Sequence, residues 1–107
     1  GYAKLKMQVR AEMVNGFNVT HGGIIFSLAD SALAFASNSY GRVAVVMENN
    51  ISFTKKVMPG NILTATTEEL SLGRRIAVYN ISIANQDKEK VALFRGTVFR
   101  TKEKHFE

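Results

Sequence analysis

The sequence predicts a single α+β domain, residues 1–107, in which one antiparallel sheet wraps one long buried helix. A proline-free segment rich in Ala and Leu, GGIIFSLADSALAFASNS, starts at Gly22 and is typical of a helix that ends near Ser39. One strand-like segment precedes it and four follow it. The short connections between the last four indicate antiparallel neighbours.

Each predicted strand rests on its own pattern. Residues 4–14, KLKMQVRAEMV, alternate apolar and polar side chains, which is typical of a half-buried strand, and the Asn15-Gly16 pair after them predicts a turn. The later segments are rich in Val, Ile, Thr, Phe and Tyr and are separated by turn signals. They predict strands over residues 43–53, 62–70, 75–85 and 91–100.

Composition excludes several kinds of site. The chain has no cysteine, which excludes disulfides and thiolate metal sites and is compatible with a cytoplasmic location. His21 and His105 lie far apart in sequence, so no metal site is expected. No apolar run is long enough to cross a membrane, and the first residues, GYAKLKMQV, contain no apolar signal-peptide core. We therefore expect a cytoplasmic protein without membrane contact.

The formal net charge of +5 favours an anionic partner, such as a nucleic acid, a membrane surface or a phosphorylated small molecule. A solvated surface with an excess of Lys explains the same charge. The aromatic residues lie mostly in apolar strand positions rather than between Lys and Arg residues. This placement disfavours a stacking platform for nucleic acid.

Asp30 is the unusual residue of the helical segment, because its carboxylate lies within an apolar run. Burying an ionised carboxylate is unfavourable by on the order of several kcal/mol, unless an opposite charge or hydrogen bonds compensate it. Such a local violation indicates a functional site. The alternative is that Asp30 faces a solvent-filled groove and has no role.

His21, Gly22 and Gly23 stand where the predicted helix starts. Backbone N–H groups there lack intrahelical acceptors and the helix dipole is positive, so a carbonyl oxygen or an oxyanion placed there is polarised. Glycine allows close approach to the backbone. The alternative is an ordinary first turn whose histidine is satisfied locally.

The spacing of Gly22 and Asp30 predicts a second chain. Eight residues of helix correspond to about 12 Å along the axis, so Asp30 does not reach a carbonyl held at Gly22 of its own chain. Two antiparallel helices from two chains bring each Asp30 near the other chain's Gly22. A twisted sheet also covers only part of an apolar helix, which again favours a homodimer.

These residues resemble the hotdog-fold acyl-CoA thioesterases, and within them the branch similar to the phenylacetic-acid-degradation thioesterases. The resemblance rests on Asn15, on His21-Gly22-Gly23 and on the helix that carries Asp30. It continues through Asn50-Ile-Ser-Phe53, Met58-Pro-Gly-Asn-Ile-Leu-Thr-Ala65, Gly73-Arg-Arg75 and Val91-Ala-Leu-Phe-Arg-Gly-Thr97. It implies a hotdog fold, an edge-to-edge dimer, often two dimers in a homotetramer, and hydrolysis of an acyl-CoA to free acid and CoA.

The resemblance also implies residue roles. Asp30 is the general base or nucleophile, and the Gly22 N–H polarises the thioester carbonyl. Asn15 orients the attacking water or the thioester, and His21 shapes the site beside the carbonyl. No cofactor is implied, since coenzyme A is part of the substrate.

The substrate's two ends have candidate contacts. The CoA phosphates would bind among the basic residues at a hairpin turn and at a strand end, namely Arg74, Arg75, Lys55 and Lys56. Four aromatic residues and a methionine are candidates to line the acyl group, and the alternative for each is an ordinary core position. They are Phe26, Phe35, Tyr40, Phe53 and Met58. The branch favours ring-bearing acyl groups. Two alternatives share the fold: a hydroxyacyl thioester dehydratase and a non-catalytic acyl-CoA-binding module.

Overall fold

The computed structural model describes residues 1–9 and 18–104, with residues 18–21 described through their backbone. Five strands form one antiparallel sheet in the order β1-β3-β4-β5-β2, and the helix α1 packs on one face of it. The predicted α+β arrangement is confirmed. The elements are β1 (Lys4–Gln8), α1 (Asn18–Asn38), β2 (Arg42–Phe53), β3 (Ile62–Leu72), β4 (Ile76–Ala84) and β5 (Lys90–Lys104).

The element boundaries differ from the prediction at the start of the helix. The α1 helix begins at Asn18, four residues before the predicted segment at Gly22, so Thr20 and His21 lie in its first turn. The β1 strand ends at Gln8, whereas the predicted extension to residue 14 and the turn at Asn15-Gly16 lie outside the described residues.

Local hydrogen bonds explain where the elements turn. The helix ends before Gly41, whose φ of 87° suits glycine and whose N–H donates to the Asn38 carbonyl at 3.1 Å. The Asn38 side-chain oxygen also accepts the Ala44 N–H at 3.0 Å, which ties the helix end to β2. Between β4 and β5, the Asn85 side chain accepts the N–H groups of Asp87 and Glu89, each at 3.0 Å. These tight connections produce the antiparallel order.

The core lies between α1 and the concave face of the sheet. Phe26 meets Phe94 edge to face, with ring centroids 5.6 Å apart. No helix in the described part of the chain is long and apolar enough to cross a membrane. The fully buried side chains come from the helix and from alternate strand positions, and include Leu33, Leu63, Tyr79, Ile81, Ile83, Val91, Phe94 and Val98.

One face of the helix is open in the single chain, in line with the expectation that one twisted sheet covers only part of it. Gly23, Ser27, Ser31, Ala34 and Phe35 are exposed and recur at helical spacing, so they form one stripe. We call this set the open stripe. The sheet covers the opposite side of the helix. The stripe stays open because a single curved sheet cannot enclose a helix.

The β2 strand is a second unpaired surface. It bonds to β5 on one side and forms an edge of the sheet on the other. Val45, Val46 and Met47 are exposed along it. A long apolar edge strand offers unpaired backbone groups to another strand.

Candidate active site

Asp30 lies at the border of the open stripe rather than in the core. Its neighbours Ala29 and Ala32 are fully buried, Ser31 is exposed, and Asp30 itself is half-buried. Its carboxylate has no hydrogen-bond or ion-pair partner among residues 1–9 and 22–104. A partly desolvated, unpaired carboxylate is available to act on a group that approaches from outside the chain.

A shallow groove of about 590 Å³ runs along the helix from the residue after Asp30. It is lined by Ser31, Ala34, Phe35, Asn38 and Ser39, which are small apart from Phe35 and Asn38. A second cavity, of about 250 Å³, lies among outward-facing residues of the sheet that include Asn50, Asn80 and Arg95. Of these two cavities, the helical groove is the one near Asp30, because its lining begins at Ser31 and includes Ala34, one helical turn after Asp30.

Gly22 lies in the second turn of the helix. Since α1 begins at Asn18, residues 18–21 form the first turn, and the N–H of Gly22 points back towards a carbonyl of that turn. The backbone of His21 belongs to the first turn. Asn15 lies outside the described residues.

The helix is continuous through both candidate positions. Gly22 and Asp30 belong to one uninterrupted α-helix, so their axial separation is about 12 Å. The structure does not bring the two residues together within one chain. The distance on which the two-chain prediction depends is therefore retained.

A contact at Gly22 was not anticipated from the sequence. A Cβ atom built on Gly22 would stand 3.4 Å from Cζ of Phe53, so the ring of the last β2 residue lies against the helix there. Phe53 is nevertheless 52% exposed. The sequence signal was the apolar position of Phe53 at a strand end, which is equally typical of core.

The four basic candidates lie at opposite ends of the sheet. Phe53 pairs with Ala92, and Ala92 with Ile83, so the row nearest Gly22 crosses β4 at Ile83. Arg75 precedes β4 and lies eight residues before Ile83, roughly 26 Å along the strand from that row. Lys55 and Lys56 follow β2 and therefore lie at the Gly22 end.

Their side chains are not equally free. The Lys55 ammonium is paired with the Glu89 carboxylate, while Lys56 has no acidic partner in the described ranges. This pairing lowers the pKa of Glu89, first through the Lys55 hydrogen bond, then through one from Asn85 and through the Lys55 charge. Arg74 is exposed, and its backbone carbonyl accepts a hydrogen bond from the Arg42 guanidinium at 3.2 Å.

The residues predicted to line the acyl group fall into two sets, one with a partner in this chain and one exposed. Phe26 is packed against Phe94, and the Tyr40 hydroxyl donates to Glu69 at 2.9 Å. Phe35 is 63% exposed on the open stripe, and Met58 is exposed in the turn after β2. Within residues 1–9 and 22–104 no cluster of acidic or histidine side chains could hold a metal ion.

Comparison with known proteins places this arrangement in a family. A sequence model of the Thioesterase superfamily matches residues 17–92, which is more than half of the chain and includes Gly22, Asp30 and Phe53. The chain belongs to the Thioesterase superfamily. A putative esterase from Archaeoglobus fulgidus is 46% identical over 103 residues, covering 96% of this chain and 67% of the relative.

Two further relatives link the superfamily member to acyl-CoA chemistry. The acyl-coenzyme A thioesterase PaaI of Escherichia coli K12 is 45% identical over 100 residues, covering 94% of this chain and 71% of that protein. The solved E. coli PaaI structure, from the phenylacetic acid degradation operon, superposes with a TM-score of 0.90, at 43% identity and covering 96% and 75% of the two chains. A Streptococcus mutans structure bound to acetyl CoA superposes with a TM-score of 0.89, at 29% identity and covering 97% and 84%. The predicted hotdog fold is confirmed.

Proposed function

We propose that this superfamily member hydrolyses an acyl-CoA thioester to the free acid and CoA, with Asp30 as general base or nucleophile. The observation that carries the proposal is the half-buried Asp30 carboxylate, which has no partner in the described structure and stands one helical turn before Ala34 of the groove. Membership of the thioesterase superfamily and the identity to an acyl-CoA thioesterase support the hydrolase class.

The reaction balances in either role of Asp30. As a base, the carboxylate takes a proton from water, whose oxygen attacks the thioester carbon; the C–S bond then breaks and the CoA sulfur takes up a proton. As a nucleophile, the carboxylate itself forms a bond to the carbonyl carbon and releases CoA, and water then hydrolyses the anhydride. Both routes develop negative charge on the carbonyl oxygen, which must be stabilised.

The start of α1 supplies that stabilisation. The Gly22 N–H polarises the carbonyl oxygen, which requires the first helical turn, residues 18–21, to open when the substrate binds. His21 lies in this turn and borders the carbonyl. Asn15 orients the attacking water or the thioester.

The site is composite and needs a homodimer. The 12 Å spacing of Gly22 and Asp30 along one helix, about eight residues of rise, pairs each Asp30 with the partner's Gly22. The open stripe of small residues allows close approach of a second helix, and the free edge of β2 allows edge-to-edge pairing. Exposed apolar residues on the outer sheet face, among them Leu72, Ile76 and Phe99, support association of two dimers into a homotetramer.

The antiparallel arrangement also selects among the basic residues. Each helix places its C-terminal end beyond the partner's Gly22, and the hairpin of Arg74 and Arg75 lies at that end. The partner's Arg74 and Arg75, together with Lys56 of the first chain, therefore flank the outer end of the composite site and bind the CoA phosphates. Lys55 contributes less, because Glu89 already holds it.

The acyl group is ring-bearing in this proposal. The E. coli PaaI protein comes from the phenylacetic acid degradation operon, and this chain is 43% identical to it over the 96% of its length that aligns. The cysteine-free composition supports a cytoplasmic location, where acyl-CoA esters are the substrate.

The test of catalysis is CoA release from a panel of aryl and straight-chain acyl-CoA esters. We expect Asp30→Asn to lower kcat by about 10²- to 10⁴-fold and to leave binding of the ester nearly intact. Asp87→Asn, at an exposed aspartate between β4 and β5, is the matched control and should be as active as the wild type. Unchanged turnover in Asp30→Asn overturns the catalytic role. Dehydration of a 3-hydroxyacyl-CoA without CoA release indicates the dehydratase instead.

The test of the composite site is complementation. Asp30→Asn and Gly22→Val chains, each checked for folding by circular dichroism, are mixed in equal amounts, denatured and refolded together. Half of the resulting dimers are mixed, and each mixed dimer holds one intact site, so about a quarter of the wild-type activity should return. No recovery means that both residues act within one chain.

A further inference from the structure

The Phe53 ring contacts the helix at Gly22 and is also half exposed. Phe53 is the last residue of β2, on the concave side of the sheet, and its ring lies against the helix backbone. A Cβ on Gly22 would stand 3.4, 3.8 and 3.9 Å from Cζ, Cε2 and Cε1 of the ring. Yet half of the side chain is exposed. The ring therefore borders Gly22 without being enclosed by this chain.

The backbone after Phe53 is held firmly. The Thr54 N–H donates to the Val91 carbonyl at 2.9 Å, and the Thr54 hydroxyl donates to the Lys90 carbonyl at 2.8 Å. The next N–H, of Lys55, also reaches the Val91 carbonyl, at 3.4 Å. These bonds fix the backbone from which the ring projects, so the strand end does not need to become ordered when a ligand binds.

The other exposed aromatics do not share this placement. Phe35 lies on the same helix thirteen residues after Gly22, about 20 Å along the axis. Phe99 pairs with Val45 and Ile76 and faces outwards. Among the exposed aromatics of the described residues, Phe53 is the one whose ring contacts Gly22.

We infer that the Phe53 ring forms the wall of the site that contacts the acyl group next to the thioester carbonyl, and that it selects ring-bearing acyl groups over straight chains. The inference rests on the proposed function, in which Gly22 holds that carbonyl. A fixed, exposed ring gains an offset-stacked or edge-to-face contact with an aryl group that a flexible chain does not match. A flexible chain also loses more rotamer freedom on binding.

The experiment compares Phe53→Leu with the wild type, using the full chain. The ratio of kcat/KM for phenylacetyl-CoA to kcat/KM for hexanoyl-CoA should fall by about three- to tenfold, mostly through the aryl substrate. Phe53→Tyr keeps the ring and should keep the ratio. Phe99→Leu makes the same replacement at an outward-facing position and should also keep it. An unchanged ratio in folded Phe53→Leu overturns the inference.

Direct binding keeps this test separate from the test of hydrolysis. The two thioethers S-(2-phenylethyl)-CoA and S-hexyl-CoA cannot be hydrolysed, and their Kd ratio should shift with Phe53→Leu in the same direction. If the wild type releases no CoA but binds both thioethers, the hydrolase proposal fails and this ratio still decides the role of Phe53. Binding of neither overturns both proposals. Phe53→Met replaces the leucine variant if circular dichroism shows that the latter is unfolded.

A second copy of the chain is the rival occupant of the exposed ring. In that case Phe53→Leu raises the dimer dissociation constant in sedimentation equilibrium and leaves the thioether Kd ratio unchanged. That combined result contradicts a role in acyl-group selection.

Discussion

Leu33 of α1 lies directly over Gly96 of β5. A Cβ atom built on Gly96 would stand 2.5 Å from Cδ2 and 3.1 Å from Cδ1 of Leu33, and 3.1 Å from Cε1 of Phe94. Leu33 is fully buried, and Phe94 is nearly so. The absence of a side chain at Gly96 therefore sets how closely the helix approaches the sheet.

Gly96→Ala should lower the free energy of unfolding by about 1–3 kcal/mol, because the added methyl group overpacks a filled core. Urea denaturation measures the change. Gly23→Ala is the control: a Cβ there meets nothing within 4 Å of its own chain, so this variant, measured at concentrations where the chain is monomeric, should be neutral or more stable by about 0.5–1 kcal/mol.

The steric cause can be separated from a backbone cause by a double-mutant cycle. Leu33→Ala alone removes a buried side chain and should destabilise by about 2–5 kcal/mol. Combined with Gly96→Ala, its effect should be smaller than the sum, since the clash has been removed. Strict additivity of the two changes would contradict direct contact as the cause.

Tyr79 should make the protein lose stability at alkaline pH. Its hydroxyl is fully buried and donates to Glu69 at 2.9 Å. Burial, and then this hydrogen bond and the Glu69 charge, raise the pKa of Tyr79 well above its ordinary 10.0. The neutral form is thus favoured in the folded state, and the stabilisation is complete below pH 10 and is lost as the pH rises above it.

The comparison with Tyr79→Phe isolates this effect from the lysines, which titrate in the same range. Below pH 10 the variant should be less stable by about 1.5 kcal/mol, because a hydrogen bond to a carboxylate is lost. Above pH 10 the difference in the free energy of unfolding should narrow, since only the wild type exposes the ionisable phenol of Tyr79 on unfolding. Chemical denaturation between pH 8 and 11 measures both. A constant difference would contradict a raised pKa.

The Lys55–Glu89 pair predicts a local titration. Because Lys55 lowers the pKa of Glu89 below its ordinary 4.5, the pair stabilises the folded state above that pH and the contribution is lost as the pH falls. In an NMR titration, Lys55→Met should raise the pKa of Glu89, while Lys56→Met should leave it unchanged. Lys55→Met should also weaken CoA-ester binding less than Lys56→Met does. The reverse order would show that substrate displaces Glu89.

The free edge of β2 predicts how association can be broken. Met47 is 57% exposed on this edge strand, and Met58 is exposed to the same extent in the turn that follows. Met47→Glu should shift sedimentation equilibrium towards monomer and lower CoA release in parallel, because the composite site is lost. Met58→Glu carries the same charge change and should remain associated. A dimeric, active Met47→Glu would exclude β2 as the dimer edge.

Much of the fold was predictable because residue type and turn signals act locally. The segments 75–85 and 91–100 were predicted as strands from their Val, Ile, Thr, Phe and Tyr content, and they fall in β4 and β5. The helix start was predicted at Gly22, because a pair of glycines is typical of a helix boundary. The helix begins at Asn18 and continues through both glycines. Partial coverage of the helix was expected, but the side that stays open was not, because an Ala-rich and Ser-rich segment has no strong polar face to mark it.

The site was predictable in type and less so in detail. Asp30 was singled out because a carboxylate in an apolar helix violates local preference, and its half-buried, unpaired position in the described chain explains that signal. The Lys55 pairing with Glu89 joins residues 34 positions apart, which no local pattern reports. The same is true of the Phe53 ring at Gly22.

By itself, the sequence determined that one long helix carries both Gly22 and Asp30, and hence that they lie about 12 Å apart along its axis, because helical rise is a local property. It also determined the strands, through alternation in the first and through β-branched and aromatic residues between turn signals in the other four. Only the tertiary structure decided which side of that helix stays open, that Gly96 sets the depth of Leu33, and that Phe53 meets Gly22. Those features depend on contacts between distant segments, which form when the sheet curves around the helix.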